Sequence, residues 1–282
     1  PHMTTIPIHD ISLFVKVTGK GYPLLLMHGG PGVDHTTMLP LSPCADRFTL
    51  IFYDHRGNGR SAGIDITSMT WENLTADAEA LRETLGFDQW AVLGQSFGGM
   101  VALEYALRYP HSLSHLILLD TCADTWWVQE NAPEMLAKRG YDAATVQLAR
   151  RFYNGQIQPE EMTLAMRKFG SAYYHHLSPF QLARQVIHGL RMKTRPEALI
   201  FGYSPLLKGW TVMDRLGEIA LPTLVLAGRD DFQFPPAHQE EIAAGIPNAR
   251  LKIIENAGHN AHSERPAEVI AAINEFMSAT TS

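Results

Sequence analysis

"LGQSFGGM" (residues 93–100) sets one serine among glycines, with Gly94 two positions before Ser96, Gly98 two after it, and Gly99 following. Upstream, "WAVLG" (90–94) is a short apolar run of strand type. Downstream, "MVALEYALRYP" (100–110) spaces Met100, Leu103, Ala106 and Leu107 at helical intervals before a closing proline. Ser96 is therefore expected where a strand turns sharply into a helix. At such a turn strand and helix run too close together for side chains at the flanking positions, so glycine is needed there and the hydroxyl stands clear at the sheet edge. The G-x-S-x-G spacing in this context marks a nucleophilic serine.

Further strand-like runs occur at 13–17, 23–28, 48–54, 113–120, 222–228 and 249–256, and helical patterns at 71–86, 97–109, 236–244 and 266–277. Strands apolar throughout, alternating with helices, imply a mostly parallel sheet covered on both faces, so the fold class is α/β. The alternation stops between about 122 and 210, where segments rich in Met, Tyr, Trp and Arg read as helices and no convincing strand occurs. The expected organisation is a core of residues 4–121 and 211–282 with a helical insertion at 122–210. "PHM" (1–3) reads as an expression remnant outside the fold, and the tail "SATTS" (278–282) as disordered.

The 282 residues, 45% hydrophobic and 18% charged, suit an ordinary globular protein with a large core. The net charge is −6 and no basic run interleaves with aromatics, which excludes a nucleic-acid footprint. The first fifteen residues carry neither lysine nor arginine, and no apolar run reaches the ~20 residues of a membrane span. A cytoplasmic protein with no membrane partner is the expectation. Cys44 and Cys122 lack metal-type or disulfide spacing and read as buried free thiols. His175 and His176 are adjacent without a ligand partner at helical spacing, so no metal site is expected.

A serine hydroxyl needs a base, an acid to orient that base, and donors for the developing oxyanion. "ENAGHNAHSERP" (255–266), after the last strand, offers His259 at a turn beside Gly258, with His262 as the competitor. "AGRDDFQFPP" (227–236) offers Asp231, far enough past its strand to turn back toward a histidine. Asp230 and, at the end of another strand, Asp120 compete with it. "HGGPG" (28–32) leaves backbone N–H groups unobstructed for an oxyanion hole, whose second donor would be the N–H of Phe97.

"HGGPG" (28–32), "YDHRGNGRS" (53–61), "GQSFGG" (94–99), "GRDD" (228–231) and "AGHNAH" (257–262), in this order, resemble the α/β-hydrolase superfamily, and within it most the proline iminopeptidase group. The resemblance spans about 10–120 and 210–278. It implies a Ser96–Asp231–His259 triad, Gly30 and Phe97 as oxyanion donors, no metal or organic cofactor, and an insertion that caps the active site. In "DHRGNGRS" it implies scaffolding, with Asp54 and Arg56 free to pair.

The resemblance stops short of the amine-binding features of that group. A W-x-x-W-E type segment is missing: "TWWVQEN" (125–131) has adjacent tryptophans and Glu130 at a different spacing, and Glu134, Glu160, Glu161 and Glu197 stand without aromatic context. Trp126 and Trp127 are candidates for an apolar or aromatic acyl pocket, as are Tyr173 and Tyr174, though each also suits simple packing. The expected activity is serine hydrolysis of a small-molecule ester, lactone or amide. The alternatives are release of N-terminal proline from short peptides and, more remotely, a binding protein on a hydrolase scaffold.

Overall fold

Neighbouring residues of the central strands bury themselves in opposite directions, Leu24 and Leu26 in one apolar core, Leu25 and Met27 in another. Strand side chains alternate faces, so runs apolar at every position need cover on both sides. The computed structural model, which describes residues 2–280, supplies that cover. Its strands are β1 (His2–Ile8), β2 (Ile11–Gly19), β3 (Tyr22–Met27), β4 (Phe48–Tyr53), β5 (Trp90–Gln95), β6 (Leu113–Leu119), β7 (Thr223–Gly228) and β8 (Ala249–Ile254). They form one sheet in the order β1-β2-β4-β3-β5-β6-β7-β8, antiparallel at β1-β2 and β2-β4 and parallel elsewhere.

The α-helices are α1 (Trp71–Thr84), α2 (Phe97–Arg108), α3 (Ala132–Lys138), α4 (Ala143–Tyr153), α5 (Met162–Phe169), α6 (Pro179–Arg191), α7 (Pro196–Phe201), α8 (Pro236–Gly245), α9 (Ala261–Glu264) and α10 (Pro266–Thr280). Leu74 and Leu81 of α1, Val101 of α2 and Ile242 of α8 pack on one face of the sheet. Val269, Ile273 and Phe276 of α10 cover the other. Helices α3 to α7 all lie in the chain between β6 and β7. The two ends of that stretch meet, with the Thr125 N–H donating to the Trp210 carbonyl (3.0 Å) and the Val212 N–H to that of Ala123 (2.9 Å).

The seven expected strands and four expected helices are present, and three expectations need correction. Residues 2 and 3 are not outside the fold, because β1 pairs residue by residue with β2, His2 opposite Val17 and Met3 opposite Lys16, while Pro1 lies outside the described residues. Its Pro7 is tolerated because β1 is an edge strand, where a missing N–H costs no ladder bond. At the other end α10 continues to Thr280, so Ser278, Ala279 and Thr280 are helical, and the last two residues of the expected disordered tail lie outside the described residues. Lastly, Asp54 and Arg56 do not pair. The chain turns after β4, sending Arg56 into a buried bidentate pair with Asp77 (2.8 and 2.9 Å) and on to Asp10, while Asp54 accepts from His35 and from the Arg60 backbone.

Because β3 and β5 to β8 are parallel, their carboxyl ends share one edge. The strand order reverses at β3, which has β4 on one side and β5 on the other. Such a reversal opens a crevice beyond the strand ends, where ligands bind in open α/β sheets.

Candidate active site

Ser96 links β5 to α2 with φ 53 and ψ −121, a conformation that ordinary side chains rarely adopt. Its neighbours explain how the turn is possible. A Cβ on Gly98 would run into the Met27 carbonyl oxygen, one on Gly94 into the carbonyl of Gly98, and one on Gly99 into the Thr121 hydroxyl. The turn is pinned by the Ser96 N–H, which donates to the Leu119 carbonyl (3.0 Å), and by the Thr121 hydroxyl, which donates to the Ser96 carbonyl (2.6 Å).

The Ser96 hydroxyl lies 3.0 Å from His259 Nε2, and His259 Nδ1 lies 2.8 Å from Asp231 Oδ2. The other oxygen of Asp231 accepts the N–H groups of Gln233 (2.9 Å) and Phe234 (3.2 Å), which fixes the carboxylate toward the imidazole. Tyr173 and Phe234 meet the His259 ring edge-on at 5.5 and 5.4 Å. The three groups come from the ends of β5, β7 and β8, and all are buried.

The competing residues have other partners. His262 makes its ring hydrogen bond to the Thr37 carbonyl (2.9 Å), and burial pushes its pKa down to about 4. Asp230 pairs with His175 at the surface (2.7 Å). Asp120 accepts from the Gly228 and Ala261 N–H groups, tying the ends of β6 and β7 to the start of α9. Burial and then the nearby Asp231 raise its pKa.

Beside Ser96 runs the loop 28–32. A Cβ on Gly29 would lie 3.2 Å from the Ser96 Cβ, and Gly30 (φ 115) and Gly32 (φ 94) hold glycine-type conformations. Beneath the loop a closed set of bonds fixes its path. His28 Nδ1 donates to the Gly29 carbonyl (2.7 Å), His28 Nε2 accepts the His55 N–H (3.0 Å), and the Gly32 N–H donates to Asn58 (2.6 Å). Phe97 opens α2, so its N–H is among the first in that helix, which have no partner within it.

A cavity of about 370 Å³ lies above Ser96. Gly30, Ser96 and His259 form part of its wall. The insertion supplies the opposite side, with Phe152, Met162, Tyr173, Met192, Leu199 and Tyr203 as its apolar surface. Polar groups facing the cavity are neutral ones, among them Thr36, Gln95, Gln185, Gln233 and Asn260, together with His188, whose pKa burial and then Arg184 and Arg191 hold down. None of its lining residues is Asp, Glu, Lys or Arg.

The expected cap residues fare unequally. Tyr173 and Tyr174 line the cavity, whereas Trp126 and Trp127 do not. Trp126 is exposed, and Trp127 stacks on His238 (4.6 Å). They follow directly on the neck bond between Thr125 and Trp210, which places them beside α8 instead of over Ser96. Glu130 and Glu134 both bind Arg150, Glu161 binds Arg151, and neither Glu160 nor Glu197 reaches the cavity wall.

Two residues went unnoticed in the sequence. Gln95, inside the serine motif itself, donates to the His259 carbonyl (3.2 Å), and its place at the end of β5 was a usable signal. Glu264 had none: one oxygen accepts the Gly258 N–H (2.7 Å), the other the N–H groups of His175 (2.9 Å) and His176 (3.2 Å). Elsewhere Asp34, His35 and Asp54 gather within metal-ligating range, but Arg60 donates to Asp34 and His35 to Asp54, so the cluster is internally satisfied.

Residues 22–266 match the model of the alpha/beta hydrolase fold family, and the chain belongs to that family. It is a hydrolase, and its likeness within the family is to the proline iminopeptidase group. The proline iminopeptidase of Lactobacillus delbrueckii subsp. bulgaricus is 28% identical over 96% of each chain, and that of Heyndrickxia coagulans 26% identical over 92% of this chain and 91% of its own. Among solved structures, the proline iminopeptidase of Mycobacterium smegmatis superposes with a TM-score of 0.80 at 26% identity, covering 99% of this chain and 98% of its own. A thermophilic esterase from Thermogutta terrifontis reaches 0.73 at 26% identity, covering both chains in full.

Proposed function

We propose that the protein hydrolyses a small, uncharged acyl compound (an ester, lactone or amide) through an acyl-enzyme on Ser96. His259 Nε2 takes the Ser96 proton as Oγ attacks the carbonyl carbon. Asp231 keeps the other imidazole proton on Nδ1 and stabilises the ring when it becomes charged. The oxyanion of the tetrahedral intermediate is received by the N–H groups of Gly30 and Phe97. His259 then returns the proton to the leaving alcohol or amine, and a water activated by the same histidine releases the acid. The insertion 122–210 acts as a cap whose inner side selects the acyl group.

The observation that carries this reading is the chemistry of the cavity wall, apolar and neutral-polar without a carboxylate. A proline iminopeptidase substrate presents a cationic N-terminal amine. Enclosing that charge without an opposite partner costs several kcal/mol. The glutamates of the insertion are engaged with arginines or lie off the wall. Proline iminopeptidase activity is the second reading, favoured by the likeness of the relatives over nearly the whole chain.

The deciding experiment is parallel hydrolysis of a short-chain aryl ester, an acyl lactone and a proline anilide by the wild type and Ser96→Ala. Ester or lactone turnover that exceeds anilide turnover and vanishes in the variant is expected. Preferred turnover of the anilide would overturn the first reading in favour of the second. Turnover retained in Ser96→Ala would sink both.

A further inference from the structure

Surface helices usually turn their apolar stripe inward and their polar stripe to water. Helix α6 does the reverse. Its Gln185, His188 and Gly189 face the cavity. Phe180, Leu182, Val186, Ile187 and Leu190 are exposed, Phe180 at 78% and Leu190 at 83%. These are five of the ten large apolar side chains exposed among the described residues, gathered on a helix that has no buried residue. Phe180, Ala183, Val186, Ile187 and Leu190 recur at helical spacing on one outward arc, with Arg184 and Arg191 along its edge.

The stretch of chain that carries this face has charge of one sign, the acidic groups that meet it (Asp34, Asp230 and Glu264) coming from the core and bonding at its two ends. Residues 162–196 contain Arg167, Lys168, Arg184, Arg191, Lys193 and Arg195 and no Asp or Glu, in a chain of net charge −6. An outward apolar face flanked by arginine and lysine is the pattern of a helix that lies in the headgroup layer of an anionic bilayer. A second copy of the chain would bring the same basic stretch against itself in a two-fold contact, which charge disfavours. No helix among the described residues is long and apolar enough to cross a membrane, and lying on the surface requires none.

We infer that α6 docks the protein on an anionic phospholipid surface, the Phe180 to Leu190 face entering the headgroup layer and the arginines meeting lipid phosphates. Because the inner side of α6 is a wall of the cavity, docking sets that wall directly beneath the lipid. The inference is independent of the reaction assigned to Ser96, since binding is read without turnover.

Co-sedimentation with phosphatidylcholine vesicles, with and without about one-third phosphatidylglycerol, tests it. The wild type is expected to bind the phosphatidylglycerol vesicles, and less so at high salt. F180S/L190S is expected to weaken binding at least about tenfold, and R184Q/R191Q by roughly tenfold, each with an unchanged melting temperature. Absence of wild-type binding, or binding unaltered in F180S/L190S, overturns the inference. So does a lipid-free dimer of the wild type that F180S/L190S dissociates, which would give the surface to a second copy.

Discussion

On the sheet side of the cavity, Ser96, Asp231 and His259 are each buried and each held by further hydrogen bonds from neighbouring strand ends and turns. On the helical side, α6 contributes Gln185 and His188 from a helix without one buried residue. Both sides face the same space. The first is held by hydrogen bonds from buried groups, the kind of support that bond making requires. Helix α6 on the second side buries no residue, unlike Phe152 and Tyr203 on the same side, and regions of that kind open at low free-energy cost. On the proposed function, the contrast separates two tasks: the sheet side holds the reacting groups and the insertion selects the acyl group.

The sharpest way to break that division is to compare kcat and KM across the two sides. Ser96→Ala is expected to lower kcat by about 10,000-fold or more, and a stopped assay on the preferred ester measures it. Asp231→Asn should lose about 1,000- to 10,000-fold with the fold intact, because the amide leaves His259 in the wrong tautomer. His188→Ala belongs to the other side: KM should rise about three- to tenfold with little change in kcat, as for a contact made equally in ground and transition states. If it lowered kcat as steeply as Asp231→Asn, the two sides would not be separable.

Two smaller effects concern how the sides are joined. Glu264→Gln places an amide nitrogen against at least one of the N–H groups its carboxylate now accepts. A buried mismatch of this kind costs about 1–3 kcal/mol, to be read as a lowered denaturant midpoint. One part of the pH dependence comes from rings the fold keeps neutral. Burial lowers the pKa of His262 to about 4 and also lowers those of His28, His55 and His238. Between the ordinary histidine value and the depressed one, only the unfolded chain takes up these protons. The contribution of these rings is therefore complete above about pH 6.5 and falls as the pH drops toward 4, by up to about 1.4 kcal/mol per pH unit for each ring, against the raised carboxyls of Asp120, Asp77 and Glu264, which act in the opposite sense. His262→Asn should lose less stability than the wild type between about pH 7 and pH 5 in denaturant titrations.

The difference between the two sides also governs what could be read in the sequence. Gly94, Gly98 and Gly99 are required by backbone contacts that admit no side chain, so the elbow was legible from residue types alone. Asp231 and His259 were legible because strand ends fix where a loop must start. The cavity wall of the insertion was not, since Met162, Met192 and Leu199 are ordinary apolar residues on helices whose relative placement no local pattern encodes. Trp126 and Trp127 were misread for that reason: aromatic type was visible, but not the neck that turns them toward α8. Strand β1 was hidden by its Pro7 and by reading the first residues as foreign to the fold, and its pairing with β2 is a tertiary fact.

The backbone of Ser96 carries a consequence for how the molecule evolves. A serine at φ 53 and ψ −121 stores about 1–3 kcal/mol of conformational strain. Glycine would relax it, and Ser96→Gly is expected to raise stability by about 1 kcal/mol after its own entropic cost. A lineage selected for durability alone would therefore drift away from the serine. On the proposed function, the serine at this strained turn sets reactivity against the interest of the fold.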